Sequence, residues 1–181
     1  PILGGAVVAV VMGILLTLPI SSAAIGISMG ITGLAAGAAT IGCCCNMIGF
    51  AVISYRENRV GGLIAQGVGT SMLQMPNIVR HPQIWLPSII SSALLGPVSS
   101  AVLKMVSSPV GSGMGTSGFV GQFACFEAMT ANGVSVAVTL IEIAVMHFIA
   151  PALLSLGIAE AMRKLNWIHS GDLKLEDAGR A

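Results

Sequence analysis

Residues 107–130 read SSPVGSGMGTSGFVGQFACFEAMT, and this stretch decides the predicted fold. It is too rich in glycine for an ordinary membrane-spanning helix and too apolar for an ordinary surface loop. It also contains one acidic residue, Glu127. A membrane interior tolerates irregular backbone only where that backbone lines a cavity or is buried in protein. We therefore predict that this stretch is a folded-back segment inside a membrane protein.

The composition of the whole chain supports a membrane location. Of its 181 residues, 55% are hydrophobic and 8% are charged, whereas an average soluble domain has about 25% charged residues. The mean hydropathy is +0.92. The net charge of +1 argues against nucleic acid as a partner. The composition indicates an all-α integral membrane protein that is in contact with membrane lipid.

Four apolar stretches are long enough to be considered as transmembrane helices. The first is close to the minimum length for a span, and the second, at about 1.5 Å per residue, is longer than one straight span needs. We expect this second helix to be tilted, or broken near Gly42. The predicted spans are residues 2–18, 22–53, 84–105 and 134–156.

Two further segments are expected to enter the membrane and return to the same side. The 15 residues from 61 to 75 reach only about 22 Å as a helix, less than a hydrocarbon core of about 30 Å. Placing Arg56, Arg59 and the tail pair Arg163 and Lys164 in the cytoplasm requires an even number of crossings between them, and Arg80 then lies on the same side. The sequence therefore predicts a first re-entrant hairpin (residues 61–82) and a second, opposed one (residues 107–130), with both termini cytoplasmic.

The two hairpins share a short string. Residues 67–71 read GVGTS and residues 113–117 read GMGTS. The string is either a true repeat or a coincidence in a chain rich in glycine and serine. A pair of short, glycine-interrupted segments in corresponding positions is typical of a transporter's substrate site. We divide the chain into a membrane-embedded domain (residues 1–158) and a cytoplasmic tail (residues 159–181), which is either a surface helix or a frayed end.

Polar groups in the hairpins suit a substrate that carries hydroxyl groups. Breaks in helices free backbone N–H and C=O groups, and side-chain hydroxyl and amide groups add further hydrogen bonds. The alternative is that glycine and serine only allow helices to pack closely. The candidate substrate-binding residues of the hairpins are Thr70, Ser71, Gly113, Gly115, Thr116, Ser117 and Gln122.

Four titratable residues are additional candidates. Glu127 lies in an apolar stretch, where a carboxylate is either functional or, alternatively, exposed to water at the membrane interface. His81 follows Arg80 and precedes Pro82, so it is either a site residue at the end of a hairpin or part of a plain cytoplasmic loop. Glu142 is a site residue or a structural pair, and His147 is expected to be a buried, hydrogen-bonded helix residue rather than a ligand.

The sequence indicates neither a metal site nor an enzyme active site. Cys43, Cys44 and Cys45 are consecutive, and consecutive helical residues point about 100° apart, so they cannot all face one ion. We interpret them as buried packing residues. No Walker loop, Rossmann fingerprint or nucleophile elbow occurs, so we expect no cofactor and no catalytic residue in this chain.

Two strings carry a resemblance to a known family. MPNIVRHPQIWLPSIISSALLGPVSS (residues 75–100) and GSGMGTSGFVGQ (residues 111–122) resemble the membrane-embedded enzyme IIC subunit of bacterial phosphotransferase-system sugar permeases, in the branch that includes perfringolysin regulators. The resemblance covers about residues 28–156. It implies a homodimer in the bacterial cytoplasmic membrane that moves a sugar inward while a separate IIB subunit phosphorylates it. By position, Glu127 and His81 resemble the carboxylate and histidine of such sugar sites.

Two departures from the family bear on function. Its typical members are about twice as long, and this chain begins at Pro1, so we expect that part of the permease lies outside the chain. The chain also lacks a phosphorylatable cysteine loop like that of IIB, so any phosphoryl transfer must depend on a separate subunit. A membrane regulator with the same fold and an ion-coupled carrier or channel using Glu127 and Glu142 remain the alternatives.

Overall fold

The structure is a computed structural model that describes residues 1–176; residues 177–181 of the predicted tail lie outside the described part. Within residues 1–176 the fold is helical, without a β-strand. The α-helices in chain order are α1 (Ile2–Thr17), α2 (Ser22–Ser28), α3 (Gly33–Ile53), α4 (Tyr55–Ile64), α5 (Met75–Arg80), α6 (Leu86–Pro97), α7 (Val120–Ala131), α8 (Val136–Ile143) and α9 (Ala150–Lys164).

Short π-helical and 3-10 turns connect or extend these helices. π-helical turns often mark functional sites, because the extra residue distorts the regular hydrogen-bond ladder. The π-helical turns are Ala65–Gly69, Val98–Leu103 and Ala144–Ile149. The 3-10 turns are Ser71–Gln74, Pro82–Trp85, Gly111–Gly113 and Ser117–Phe119.

Three continuous helical stretches are long and apolar enough to cross a membrane: Gly33–Ile53, Pro82–Leu103 and Val136–Lys164. The second contains the whole of α6, and the third joins α8 to α9. α1 is also apolar, but its 16 residues reach only about 24 Å. The all-helical membrane class is therefore confirmed, while the number of four spans stays a prediction.

The second predicted span, residues 22–53, is broken, but not near Gly42. The chain leaves the helical path between α2 and α3, where Gly30 and Gly33 have positive φ angles that glycine adopts readily. α3 continues without interruption through Gly42, so the predicted break there is wrong. A Cβ atom at Gly42 would overlap the backbone carbonyl of Ala9, so this glycine allows α1 and α3 to pack closely.

α3 is the centre of the bundle. Sixteen of its 21 residues are buried, including the three consecutive cysteines, and α1, α6 and α9 pack around it. Gly33, at the start of α3, forms an isolated antiparallel bridge with Ser107. Ile53, at its end, accepts a 2.5 Å hydrogen bond from Arg163. We call these two extremities of the bundle the Ser107 end and the tail end.

The two other long helices run along α3 in opposite directions. The helix Pro82–Leu103 begins near the tail end and finishes at the Ser107 end, where Ser100 donates a 3.0 Å hydrogen bond to the carbonyl of Pro1. The helix Val136–Lys164 returns to the tail end. Pro1 thus lies at the Ser107 end, whereas Glu176 lies beside Arg80 at the tail end. Pro1 and Glu176 lie at opposite ends because α1 runs in the same direction as α3. The cytoplasmic location of both termini stays a prediction.

The beginning of the tail differs from the prediction of a surface helix or frayed end. α9 continues past residue 158 to Lys164, so the domain boundary predicted there falls within a helix. After α9 the chain folds back onto the tail end of the bundle, and Ile168, Leu173 and Leu175 are buried. Ile168 and Leu173 join an apolar cluster with Phe50 of α3, which fixes the tail against the bundle.

Basic side chains are concentrated at the tail end. Arg56 lies 3.2 Å from Glu160, Arg163 contacts the same carboxylate, and Arg80 lies 2.8 Å from Glu176. Among residues 1–176, Lys104 is the one lysine or arginine at the Ser107 end. Arg56, Arg80 and Arg163, which the sequence analysis placed on one side of the membrane, therefore lie at one end of the bundle.

Candidate functional site

The first hairpin extends into the bundle from the tail end. α4 leads into the π-helical turn Ala65–Gly69, and the chain then reverses and returns through α5 to Arg80. A Cβ atom at Gly67 would lie 3.4 Å from the side chain of Ala51, so the tip lies beside the last turns of α3. The Thr70 side chain stabilises the reversal by accepting a 3.1 Å hydrogen bond from the backbone N–H of Met72.

The second hairpin extends into the bundle from the Ser107 end. The chain passes from Ser107 through short 3-10 turns to a tip at Gly115, and α7 then returns toward Val106, whose backbone N–H contacts the sulfur of Met129. Gly115 has φ +53° and packs against Cys43, leaving no room for a side chain. Glycine is required at this tip for both its backbone conformation and its size.

The tips of the two hairpins meet. The Thr116 hydroxyl donates a 2.5 Å hydrogen bond to the carbonyl of Gly67, and the Ser117 hydroxyl donates a 3.0 Å hydrogen bond to the carbonyl of Gly69. We call this pair of hydrogen bonds the tip contact. It joins the two GxGTS strings, but one string contributes hydroxyl groups and the other contributes carbonyl groups, so the contact is not symmetric.

Two of the predicted site residues are bound to the neighbouring helices. Ser71 is buried, and its hydroxyl lies 2.8 Å from that of Thr17, at the end of α1. Gly113 is also buried, and its carbonyl accepts a 2.6 Å hydrogen bond from Ser22 at the start of α2. These contacts hold both tips against the first two helices. Thr70 and Ser117 remain partly exposed beside them.

Gln122 lies one turn beyond the second tip and is paired with a residue that the sequence did not select as a ligand. Its side-chain nitrogen is 2.8 Å from Nδ1 of His147, and it also lies 3.5 Å from the sulfur of Cys44. His147 is buried and hydrogen-bonded, as predicted. The imidazole Nε2 and the amide Oε1 are buried and have no hydrogen-bond partner among residues 1–176.

An aromatic groove lies next to this pair. It has a volume of about 550 Å³ and is lined by Gln122 together with apolar side chains from the 3-10 turn before α7, from α7 and α8, and from the π-helical turn after α8. Aromatic rings present flat apolar faces, while the amide of Gln122 supplies the polar group in the wall. The aromatic residues of the groove are Phe119, Phe123, Phe126 and Phe148.

Glu127 and His81 are not brought together. Glu127 is exposed on α7, two residues before Met129 at the Ser107 end. His81 lies at the tail end, between α5 and the next 3-10 turn, and its Nε2 is 3.6 Å from a carboxylate oxygen of Asp172. The two side chains approach the bundle from opposite ends, so one ligand cannot bind both in this conformation. Their role in substrate binding stays a prediction.

Glu142 is half-buried within the long helix Val136–Lys164. One of its carboxylate oxygens is buried and has no hydrogen-bond partner within the described structure. One turn earlier on the same helix, the hydroxyl of Thr139 is also buried without a partner. An unpaired carboxylate inside a membrane helix is costly, so it is a candidate for a functional group.

Comparison with known proteins gives the family. The family model described as "Phosphotransferase system, EIIC" matches residues 1–175. The chain belongs to this family. It is therefore a membrane component of the phosphotransferase-system permeases, as the two resembling strings indicated. Searches of curated proteins and of solved structures found no match.

The sequence predicted the tip contact but not the pairing of Gln122 with His147. The glycine strings located the tip contact. The pairing of His147 with Gln122 was missed because the two residues are 25 positions apart and on different helices. The only hint in the sequence was that Gln122 and His147 are both polar residues in apolar surroundings.

Proposed function

We propose that this EIIC protein binds a sugar beside the tip contact and moves it inward across the bacterial cytoplasmic membrane, where a separate IIB subunit phosphorylates it. The observation that carries the proposal is the meeting of two glycine-rich hairpins from opposite ends of the bundle. In our proposal this meeting point lies at mid-depth in the membrane, where a transporter needs its substrate site.

The residues at the tip contact have the chemistry that a sugar requires. Thr70, Ser117 and Gln122 are partly exposed and supply hydroxyl and amide groups, which both donate and accept hydrogen bonds. Buried residues behind them, Ser71 and Thr116, hold the two tips in place. The adjacent aromatic groove offers apolar surface for the C–H face of a sugar ring.

Glu127 and His81 fit a transport pathway better than a single site. In our proposal the tail end is cytoplasmic, because its basic residues favour that side. Glu127 then contacts the sugar as it approaches from the outer side, and His81 contacts it on the cytoplasmic side, next to the surface where IIB binds. Lipid surrounds the apolar helices, and a second copy of the chain completes a homodimer.

Uptake of labelled sugar tests this function. Membrane vesicles that contain the full chain are supplied with radiolabelled sugars, with and without phosphorylated IIB, and phosphorylated sugar inside the vesicles is measured. We expect accumulation that depends on phosphorylated IIB. Uptake that never needs IIB would contradict the phosphotransferase mechanism, and sugar binding without uptake would favour a membrane regulator with this fold.

An ion-coupled carrier is the second candidate, and Glu142 is the observation that favours it. Its buried carboxylate oxygen has no partner in the described part of the chain and lies in a helix long and apolar enough to span a membrane, where a proton or cation would provide the partner. In the same vesicles, uptake that follows an imposed proton or sodium gradient and is lost in Glu142→Gln would support this alternative. Uptake that is unaffected by gradients would exclude it.

A further inference from the structure

The tail segment, residues 171–176, is held at the tail end by amide side chains of the first hairpin and α4. Asn58 contacts it twice: its amide nitrogen donates a 2.8 Å hydrogen bond to the carbonyl of Leu173, and its amide oxygen accepts a 2.8 Å hydrogen bond from the N–H of Leu175. Asn58 thus binds the tail backbone in the way that a neighbouring β-strand would. Such a contact recognises a backbone regardless of its side chains.

Two more amides bind the same segment from the opposite arm. Gln74 donates a 3.0 Å hydrogen bond to the carbonyl of Leu173, and Asn77 donates a 2.9 Å hydrogen bond to the carbonyl of Lys174. Asn58 belongs to α4, which leads into the first hairpin, whereas Gln74 and Asn77 belong to the arm that leaves it. The tail segment therefore bridges the two arms.

The amides continue as a buried chain toward the tip contact. Gln74 donates a 2.8 Å hydrogen bond to the side-chain oxygen of Gln66, and Gln66 donates a 2.8 Å hydrogen bond to the hydroxyl of Ser54. Gln66 and Gln74 are fully buried. Gln66 directly precedes Gly67, whose carbonyl accepts the hydrogen bond of Thr116. Hydrogen bonds thus connect the tail to Gln66, and the peptide chain connects Gln66 to Gly67 at the tip.

We propose that the tail segment is a clamp that holds the first hairpin in the position where its tip meets the second hairpin. Buried amides are costly to leave unpaired, so release of the tail disturbs Asn58, Gln74 and Asn77 together and, through Gln66, the position of Gly67. Any partner that takes up the tail segment thereby weakens the tip contact. The inference concerns the conformation of the hairpin and holds whether or not the substrate is a sugar.

Cross-linking between the tips tests the clamp. Gly69→Cys and Ser117→Cys are introduced together in the full chain, where the residues already lie in contact and a side chain at Gly69 meets no atom within 4 Å. Ser117→Cys removes the partly exposed hydrogen bond of the tip contact, so the cross-link reports the tips held by the buried bond between Thr116 and Gly67. The native cysteines are buried. A short thiol cross-linker reports the tip contact, and trypsin cleavage after Lys174 reports release of the tail. The cross-linking rate and the cleavage rate are measured in detergent for the double-cysteine protein, with and without Asn58→Leu.

We expect Asn58→Leu to raise cleavage after Lys174 and to lower the cross-linking rate by about tenfold, because two buried hydrogen bonds to the tail are lost. Gln83→Leu, an amide at the same end outside this network, should leave both unchanged. Faster cleavage with unchanged cross-linking would overturn the coupling. Unchanged cleavage and cross-linking would overturn the clamp itself.

A second variant separates loss of the clamp from loss of the fold. In a chain that ends at Ser170, cross-linking should fall to the same extent. A synthetic peptide with the sequence of residues 171–176, added in excess, should restore it, because only a folded hairpin can bind the peptide. A truncated chain that cross-links as fast as the full chain would contradict the proposal.

Discussion

At the scale of single residues, the tip contact depends on two hydroxyl groups. Thr116 is fully buried, so if its hydrogen bond to the carbonyl of Gly67 breaks, water cannot take the place of either group. Ser117 is partly exposed and its contact with Gly69 is easier to replace. The two hydrogen bonds therefore differ in energy even though they are adjacent in the sequence.

Thr116→Val should lower the free energy of unfolding by about 1–3 kcal/mol, because it leaves the buried carbonyl of Gly67 unpaired. Thr116→Ser keeps the hydroxyl and should lose less stability. Unfolding of the purified protein in mixed micelles, followed by helical circular dichroism, measures both variants. Equal stability of the valine and serine variants would mean that the hydroxyl at residue 116 does not hold the tips together.

Glu127→Gln should slow the IIB-dependent uptake of sugar more than tenfold while the protein stays folded, because on the outer part of the pathway a hydrogen bond from a sugar hydroxyl to a carboxylate is stronger than one to an amide. Glu127→Asp, which keeps the carboxylate, is the matched control. Uptake into vesicles at low sugar concentration gives the rates. Unchanged uptake in Glu127→Gln would remove this residue from the pathway.

At the scale of elements, the end of α3 is fixed by α9. Arg163 donates a hydrogen bond to the carbonyl of Ile53, one of the carbonyls that an ending helix leaves without an intrahelical partner. It also pairs with Glu160 on its own helix at 2.6 Å. The Arg163 side chain thus joins α3 and α9 just before the chain enters the first hairpin.

Arg163→Met should lower the free energy of unfolding by roughly 1–3 kcal/mol, since it removes a charged donor from a helix C-terminus but keeps the apolar part of the side chain. Lys164→Met changes a neighbouring exposed cation that makes no such contact and should have little effect. The two variants are compared in the same micelle assay. A similar loss in both would indicate a general effect of charge rather than this helix–helix contact.

The sequence predicts some of these elements well and others poorly, for physical reasons. The positions of Arg56, Arg59 and Arg163 predicted that basic residues share one end, because charge is a strong signal in an apolar chain, and the re-entry of the hairpins into the membrane stays a prediction. The break at Gly30 was missed and one near Gly42 was expected, since a glycine that allows close packing and one that ends a helix look alike in sequence. The amides that bind the tail could not be predicted, because Asn58 is more than a hundred residues from Leu173.

At the scale of the whole molecule, the two ends of the bundle differ in charge, and this difference sets the proposed orientation. The tail end contains nearly all the basic residues of the described chain, and the Ser107 end contains Lys104. Positively charged residues in short loops stay on the cytoplasmic side. In this proposal Pro1 lies on the outer side, because it is hydrogen-bonded to Ser100 at the Ser107 end.

Single-cysteine labelling measures this orientation. Asn132→Cys lies at the Ser107 end and Lys164→Cys at the tail end, and both positions are exposed while the native cysteines are buried. In intact cells a membrane-impermeant maleimide should label residue 132 and not residue 164, and in broken cells it should label both. Labelling of residue 164 but not residue 132 in intact cells would contradict the proposed orientation in the membrane.

The central claim is that the sugar binds where the two hairpin tips meet, and photoaffinity labelling tests it most directly. The sugar that vesicle uptake identifies is made with a diazirine group, bound to the full-length protein and illuminated, and the labelled peptides are identified by mass spectrometry. The account predicts labels within residues 65–71 and 113–122 that unmodified sugar prevents. Labels that unmodified sugar prevents but that lie wholly outside both tips would contradict it.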